Sequence, residues 1–115
     1  MKNLGFPRGK RLKKQHEFKR IYRTGRKTAD EYLTMYSRPA EGRAGKVGIV
    51  ASKRVGKAVE RNRIRRVLRE TIRANQHRFS EKTDIVIIVK QPALELTHVE
   101  LAEMLLLLLR KSGAN

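Results

Sequence analysis

Nine lysines and arginines fall between Lys53 and Arg73, against two acids, Glu60 and Glu70. The chemistry such a run offers is the binding of a polyanion. Arginine's planar fork bonds phosphate through two parallel N–H groups, and it does not lose its charge. Arg61, Arg65, Arg69 and Arg73 recur at every fourth position, with Asn62 and Arg66 beside them and Arg63 near the other border. Like charges at i+4 weaken an isolated helix, so this segment is helical only if its opposite face packs on a core. That face is present: Ile64, Val67, Leu68, Thr71 and Ile72 follow the spacing of one apolar stripe. A solvated helix face normally mixes signs, whereas an unmixed one displays its arginines to a polyanionic partner. Lys53, Arg54 and Lys57 extend the positive surface upstream. Asn62 is open to two readings, a helix-start residue or a group that orients an arginine or meets a base edge.

Aromatic side chains offer a second chemistry, the stacking of bases, at about 1–3 kcal/mol per base and with little regard to sequence. Phe18 and Tyr22 stand at i and i+4 of one helical face with Ile21; Tyr32 and Tyr36 alternate along an extended segment. On spacing alone, the pair Phe18 and Tyr22 reads as core more readily than as a binding surface.

The chain offers no cleavage chemistry of its own. Two-metal hydrolysis of a phosphodiester needs carboxylates converging on ions about 4 Å apart, and the 11 acids are scattered. Asp30 and Glu31 are neighbours in a strand and face opposite ways, and Glu60 and Glu70 are separated by about 15 Å of helix rise. His16, His77 and His98 are each isolated and read as surface histidines. Gly56-Lys57 is a fragment of a phosphate loop, but no glycine stands five residues earlier and Ala58 replaces the Ser or Thr. Cysteine is absent, which excludes disulfides and thiolate metal sites. No catalytic and no metal-ligating residue is assigned.

The 115 residues include 28 Lys or Arg and 11 Asp or Glu, for a formal charge of +17. A chain this long supports one domain, residues 1–115, which buries about two-thirds of its unfolded surface. The charge is uneven: residues 82–115 balance Lys82, Lys90, Arg110 and Lys111 against Asp84, Glu95, Glu100 and Glu103. The excess therefore lies in residues 1–78, as a binding face would have it. Residues 1–10 lack the apolar stretch of a signal peptide, and no apolar run is long enough to span a membrane. The expected compartment is the cytoplasm.

The elements that must position these residues follow in order. Residues 1–14 are expected to form a basic arm, mobile or lightly anchored, punctuated by Gly5, Pro7 and Gly9 and of the kind that orders on phosphate. Residues 15–24 pattern as a helix ended by Gly25. Residues 30–38 alternate as a strand, with Tyr32, Thr34 and Tyr36 on one face and Leu33 and Met35 on the other. A second strand covers residues 46–52, and a turn over 54–57 leads into the arginine helix, residues 58–75. Residues 77–83 are a loop. A third strand, 84–90, is apolar from Ile85 to Val89 and is buried on both faces. Thr97-His98-Val99-Glu100 is a capping box opening a last helix to residue 111, whose leucines run nearly all round; Leu107 is the one expected to be partly exposed. These add up to an α+β fold, a small single-domain αββαβα sandwich with a central sheet and a split βαβ unit over residues 46–90.

Ser52-Lys53-Arg54-Val55-Gly56-Lys57-Ala58-Val59, followed by Arg61-Asn62-Arg63-Ile64-Arg65-Arg66 and Leu68-Arg69-Glu70, closely resembles the signature of the ribonuclease P protein component family. These are the small basic protein subunits of bacterial ribonuclease P, and the likeness extends over residues 8–112. The resemblance implies a fold similar to domain 2 of ribosomal protein S5, with a left-handed crossover in place of the ordinary right-handed one. It implies an accessory, non-catalytic subunit of an endoribonuclease, whose active site and metal ions belong to the RNA subunit. The implied partners are ribonuclease P RNA and the 5′ leader of precursor tRNA, in a particle of one RNA and one monomeric protein, with no membrane. The protein alone would bind no cofactor, whereas the assembled particle would require Mg2+. Lys53, Arg54, Lys57, Arg61, Asn62, Arg63, Arg65, Arg66 and Arg69 would dock on the catalytic RNA. Phe18, Tyr22, Tyr32 and Tyr36 would hold the leader in a cleft between the first helix and the sheet, with Tyr36 as its foremost contact.

Other readings compete. A structural or chaperone-like RNA binder, similar to a ribosomal protein and without part in cleavage, has the same composition. A helix-turn-helix DNA binder needs a short helix just before the recognition helix, where this chain has a strand. A membrane-surface protein joins basic charge to an open apolar helix face, whereas the leucine-rich helix here is nearly neutral.

Overall fold

The computed structural model describes residues 15–113, and the basic arm expected over residues 1–14 lies outside them. The chain begins with α1 (Gln15–Thr24), which ends at Gly25. The Gly25 N–H donates to the Ile21 carbonyl at 2.8 Å, and a Cβ at this position would lie 2.9 Å from the Ser37 carbonyl oxygen. Only a residue without a side chain lets the helix end so close to the sheet. There follow β1 (Arg26–Ala29), β2 (Leu33–Pro39), β3 (Val47–Val50), α2 (Ala58–Ala74), β4 (Thr83–Val89) and α3 (His98–Ser112). Short 3-10 turns, Gln76–Arg78 and Gln91–Glu95, flank β4.

The sheet order is β1-β2-β4-β3. β2 pairs antiparallel with both β1 and β4, and β3 pairs parallel with β4. The α+β class, the central sheet and the strand–helix–strand unit over residues 46–90 stand as expected. Two details differ from the expected αββαβα arrangement. A fourth strand, β1, precedes the expected three, making the order αβββαβα. The βαβ unit is also not split, because β3 and β4 are direct neighbours with Val47 opposite Ile85 and Val50 opposite Ile88.

The two sheet faces are covered unequally. On one, Leu33, Met35, Ile85, Ile87 and Val89 meet the α2 stripe of Ile64, Val67, Leu68 and Ile72 and the α3 residues Leu101, Leu105, Leu108 and Leu109. Burying a side chain of this size stabilises the fold by about 1.5–3 kcal/mol, so this is the main core. On the other face, Ile21 of α1 and Val86 are buried, with Phe18, Tyr36, Val50 and Ile88 only partly covered. One short helix does not span this face, and what it leaves open is a cleft.

α3 starts as its capping box dictates: the Thr97 hydroxyl accepts from the Glu100 N–H at 3.1 Å, and Glu100 Oε1 accepts from the Thr97 N–H at 2.9 Å. It ends at Gly113, which takes the left-handed φ of 72°. Leu107 is 40% exposed while Leu105 and Leu108 are fully buried, as the helical spacing predicts.

Candidate nucleic-acid interface

The turn before α2 is built to aim cations outward. Val55 donates its N–H to the Ser52 carbonyl at 3.0 Å and buries its side chain, leaving Lys53 and Arg54 exposed. A Cβ on Gly56 would lie 2.8 Å from Glu60 Oε1 and 2.9 Å from the Leu94 side chain, so glycine is what fits there. Glu60 Oε1 accepts from the Lys57 N–H at 2.9 Å and caps the helix. One of the two acids in the basic run thus serves the backbone.

The arginine row is present but divided. Arg61 Nε donates to the Gly56 carbonyl at 3.2 Å, and Arg63 Nη2 donates to the Leu94 carbonyl at 3.4 Å. Arg65 donates from Nη2 to the Ala51 carbonyl at 2.9 Å and from Nη1 to Asn62 Oδ1 at 3.3 Å. These three are half-buried, whereas Lys57, Asn62, Arg66 and Arg69 are exposed. A carbonyl bond fixes a guanidinium without neutralising it, and each of the three retains further N–H donors. Asn62 is not the helix-start residue, since the N-cap of α2 is Lys57, and its Oδ1 accepts from Arg65 Nη1.

The aromatic cleft lies between α1 and the sheet. The Phe18 and Tyr22 ring centroids are 6.3 Å apart, and Tyr22 and Tyr36 stand edge to face at 5.1 Å and 65°. Lys27 Nζ sits 5.9 Å from the Tyr36 ring centroid. Tyr22 is 38% exposed, and partial burial, followed by the neighbouring Tyr36, pushes its phenol pKa up. The hydroxyl therefore stays a proton donor well into alkaline solution.

Tyr32 does not join this cluster. It packs against the core under α2 and α3, and a hydrogen bond with Glu31 is the main cause raising its phenol pKa. The reason is local. β2 begins only at Leu33, and Asp30 Oδ1 accepts from the N–H groups of Tyr32 at 2.7 Å and Leu33 at 2.8 Å. That bend interrupts the strand alternation that would have set Tyr32 beside Tyr36.

Arginine row and cleft meet at adjacent residues. Val50 packs into the cleft cluster, and the carbonyl of Ala51 holds Arg65.

One polar network was not legible in the sequence. Arg43 donates from Nη1 and Nη2 to the two Asp84 oxygens, each at 2.8 Å, and the Lys46 N–H adds a third bond to Oδ1 at 2.8 Å. Glu17 Oε2 lies 3.3 Å from Arg43 Nη2 and 3.4 Å from Lys46 Nζ. The Asp84 bond is the main cause holding the Arg43 pKa above its usual value. The partners come from α1, the β2–β3 loop and β4, too far apart in sequence for any local pattern. Among the described residues, no group of three or more His, Asp or Glu side chains converges as metal ligands would.

Comparison with known proteins adds to this geometry. The family model for Ribonuclease P matches residues 6–113. The chain is 46% identical over 80 residues to the ribonuclease P protein component of Desulforamulus reducens, covering 70% of this chain and 71% of that one. It is 34% identical over 104 residues to the same component of Bacillus cereus, covering 90% of each. Among solved structures, the RNase P protein of Staphylococcus aureus superposes with a TM-score of 0.86 at 30% identity, over 91% of this chain and 96% of that one. That of Thermotoga maritima gives 0.77 at 28% identity, over 87% and 96%.

Proposed function

The chain belongs to the ribonuclease P protein family, and from that premise we propose that it is the accessory protein subunit of a ribonuclease P. In this reading it partners ribonuclease P RNA, binds the 5′ leader of precursor tRNA and assists its endonucleolytic removal, one protein to one RNA. The observation that supports the reading is the adjacency at Val50 and Ala51, where Val50 packs into the aromatic cluster and the Ala51 carbonyl holds Arg65 of the basic row. Lys53, Arg54, Lys57, Arg66 and Arg69 meet phosphates of the catalytic RNA, with Arg61, Arg63 and Arg65 held more rigidly behind them. Phe18, Tyr22 and Tyr36 stack on unpaired leader bases, and Lys27 follows the leader backbone.

The reaction's Mg2+ is assigned to the RNA. The two carboxylates that share the Arg43 network do not suit it: Asp84 is engaged by Arg43 and the Lys46 N–H, and Glu17 lies against Arg43 and Lys46. No cleavage step is therefore attributed to a protein side chain. The discriminating experiment measures the affinity of precursor and of mature tRNA for the catalytic RNA, with and without the protein. The protein is expected to tighten precursor binding selectively; equal tightening of both would contradict leader recognition.

A further inference from the structure

A second basic surface lies on the other sheet face from α1, beyond the C-terminal end of α2. A cavity of about 270 Å3 opens there, lined by His77 and Arg78 of the 3-10 turn and by Leu106, Leu109 and Arg110 of α3. No acid lines it. Among the described residues, no hydrogen bond or ion pair engages the side chains of His77, Arg78 or Arg110. Lys111 is exposed beside it, and Arg26 Nη1 lies 3.5 Å from where a Cβ of Gly113 would sit, at the end of the same helix.

A second cavity, of about 190 Å3 next to α1, shows the contrast. It too has arginines, but Arg38 pairs with Glu41 and Arg43 with Asp84 and Glu17, so its charge is met internally. The helix dipoles do not meet the charge of the first. The C-termini of α2 and α3 supply about half a negative charge each, against full positive charges on Arg26, Arg78, Arg110 and Lys111. Nor does a dipole explain an opening walled by leucine.

We propose that this opening is a second RNA-contact site, taking a backbone phosphodiester between Arg78 and Arg110 with the adjoining ribose or base against Leu106. It rests on the reading that the chain works on RNA, and it is separate from the row and the cleft which that reading uses. Arg69, the last residue of the row used in that reading, stands about 7–8 Å of helix rise before Ala74, so the opening continues the positive surface past the C-terminal end of α2 and onto α3.

The test uses the full chain carrying R78Q and R110Q together, with R66Q as the reference. The salt dependence of binding is measured for ribonuclease P RNA alone and for precursor tRNA on the assembled particle. The double variant is expected to flatten the slope by about one to two units in one of the two measurements, which identifies the RNA bound. The preference for precursor over mature tRNA stays unchanged. Unchanged slopes in both measurements, with R66Q still flattening one, overturn the second site and leave the proposed function standing. Unchanged slopes for R66Q as well overturn both.

Discussion

The Arg65 guanidinium donates from Nη2 to the Ala51 carbonyl at 2.9 Å. That bond joins the middle of α2 to the end of β3, so a residue of the basic row also braces the cleft wall. It separates the arginines into those that position and those that contact.

The separation predicts two different phenotypes. Arg65→Ala leaves the carbonyl of buried Ala51 without its donor, which costs about 1–3 kcal/mol and lowers the melting temperature by several degrees. Arg66→Ala, at an exposed position, changes stability by less than about 0.5 kcal/mol. It flattens the salt dependence of RNA binding by about one unit. Thermal melts and salt titrations of the two variants check this.

The aromatic cluster predicts a ranking. Tyr36→Ala is expected to weaken precursor binding by about 1–3 kcal/mol, Tyr36→Phe far less, and Tyr32→Ala not at all, because Tyr32 lies on the other sheet face. Affinities for leader-bearing precursor, measured on the assembled particle, check the order.

The fold favours the neutral Tyr22 phenol, whose pKa is raised above 10.0 chiefly by burial and next by Tyr36. The unfolded chain ionises first, so this contribution to stability is present below pH 10 and is lost as pH rises toward the folded value. In an ultraviolet alkaline titration, Tyr22→Phe is expected to remove one late-ionising tyrosine. Tyr32, raised chiefly by Glu31, continues to titrate late.

Packing predicts unequal costs for identical substitutions. Leu68→Ala, at a fully buried stripe position, is expected to cost about 2–5 kcal/mol. Leu107→Ala, at a position 40% exposed, costs under about 1 kcal/mol. Denaturant unfolding of both variants checks the difference.

What the sequence made legible was local. The α2 stripe, the α3 capping box and the exposure of Leu107 each follow from spacing within one element. β1 escaped because Arg26-Lys27-Thr28-Ala29 has no apolar alternation; it is a strand only because β2 pairs with it. Tyr32 was placed by continuing an alternation through the Asp30 bend, which stops it. The i+4 ladder gave the direction of the arginines but not their reach. A long side chain can lean back to a carbonyl, as Arg61, Arg63 and Arg65 do. The Arg43–Asp84 pair spans 41 positions, and nothing near either residue announces the other.

The central claim is that this chain supplies charge and a stacking groove while its RNA partner breaks the bond. Reconstitution tests it most directly: purified protein, ribonuclease P RNA and precursor tRNA at low magnesium, separately and together. The account predicts that the protein restores 5′ leader removal to the RNA and cleaves nothing by itself. Correct trimming by the protein alone, or no rescue of the RNA, would contradict it.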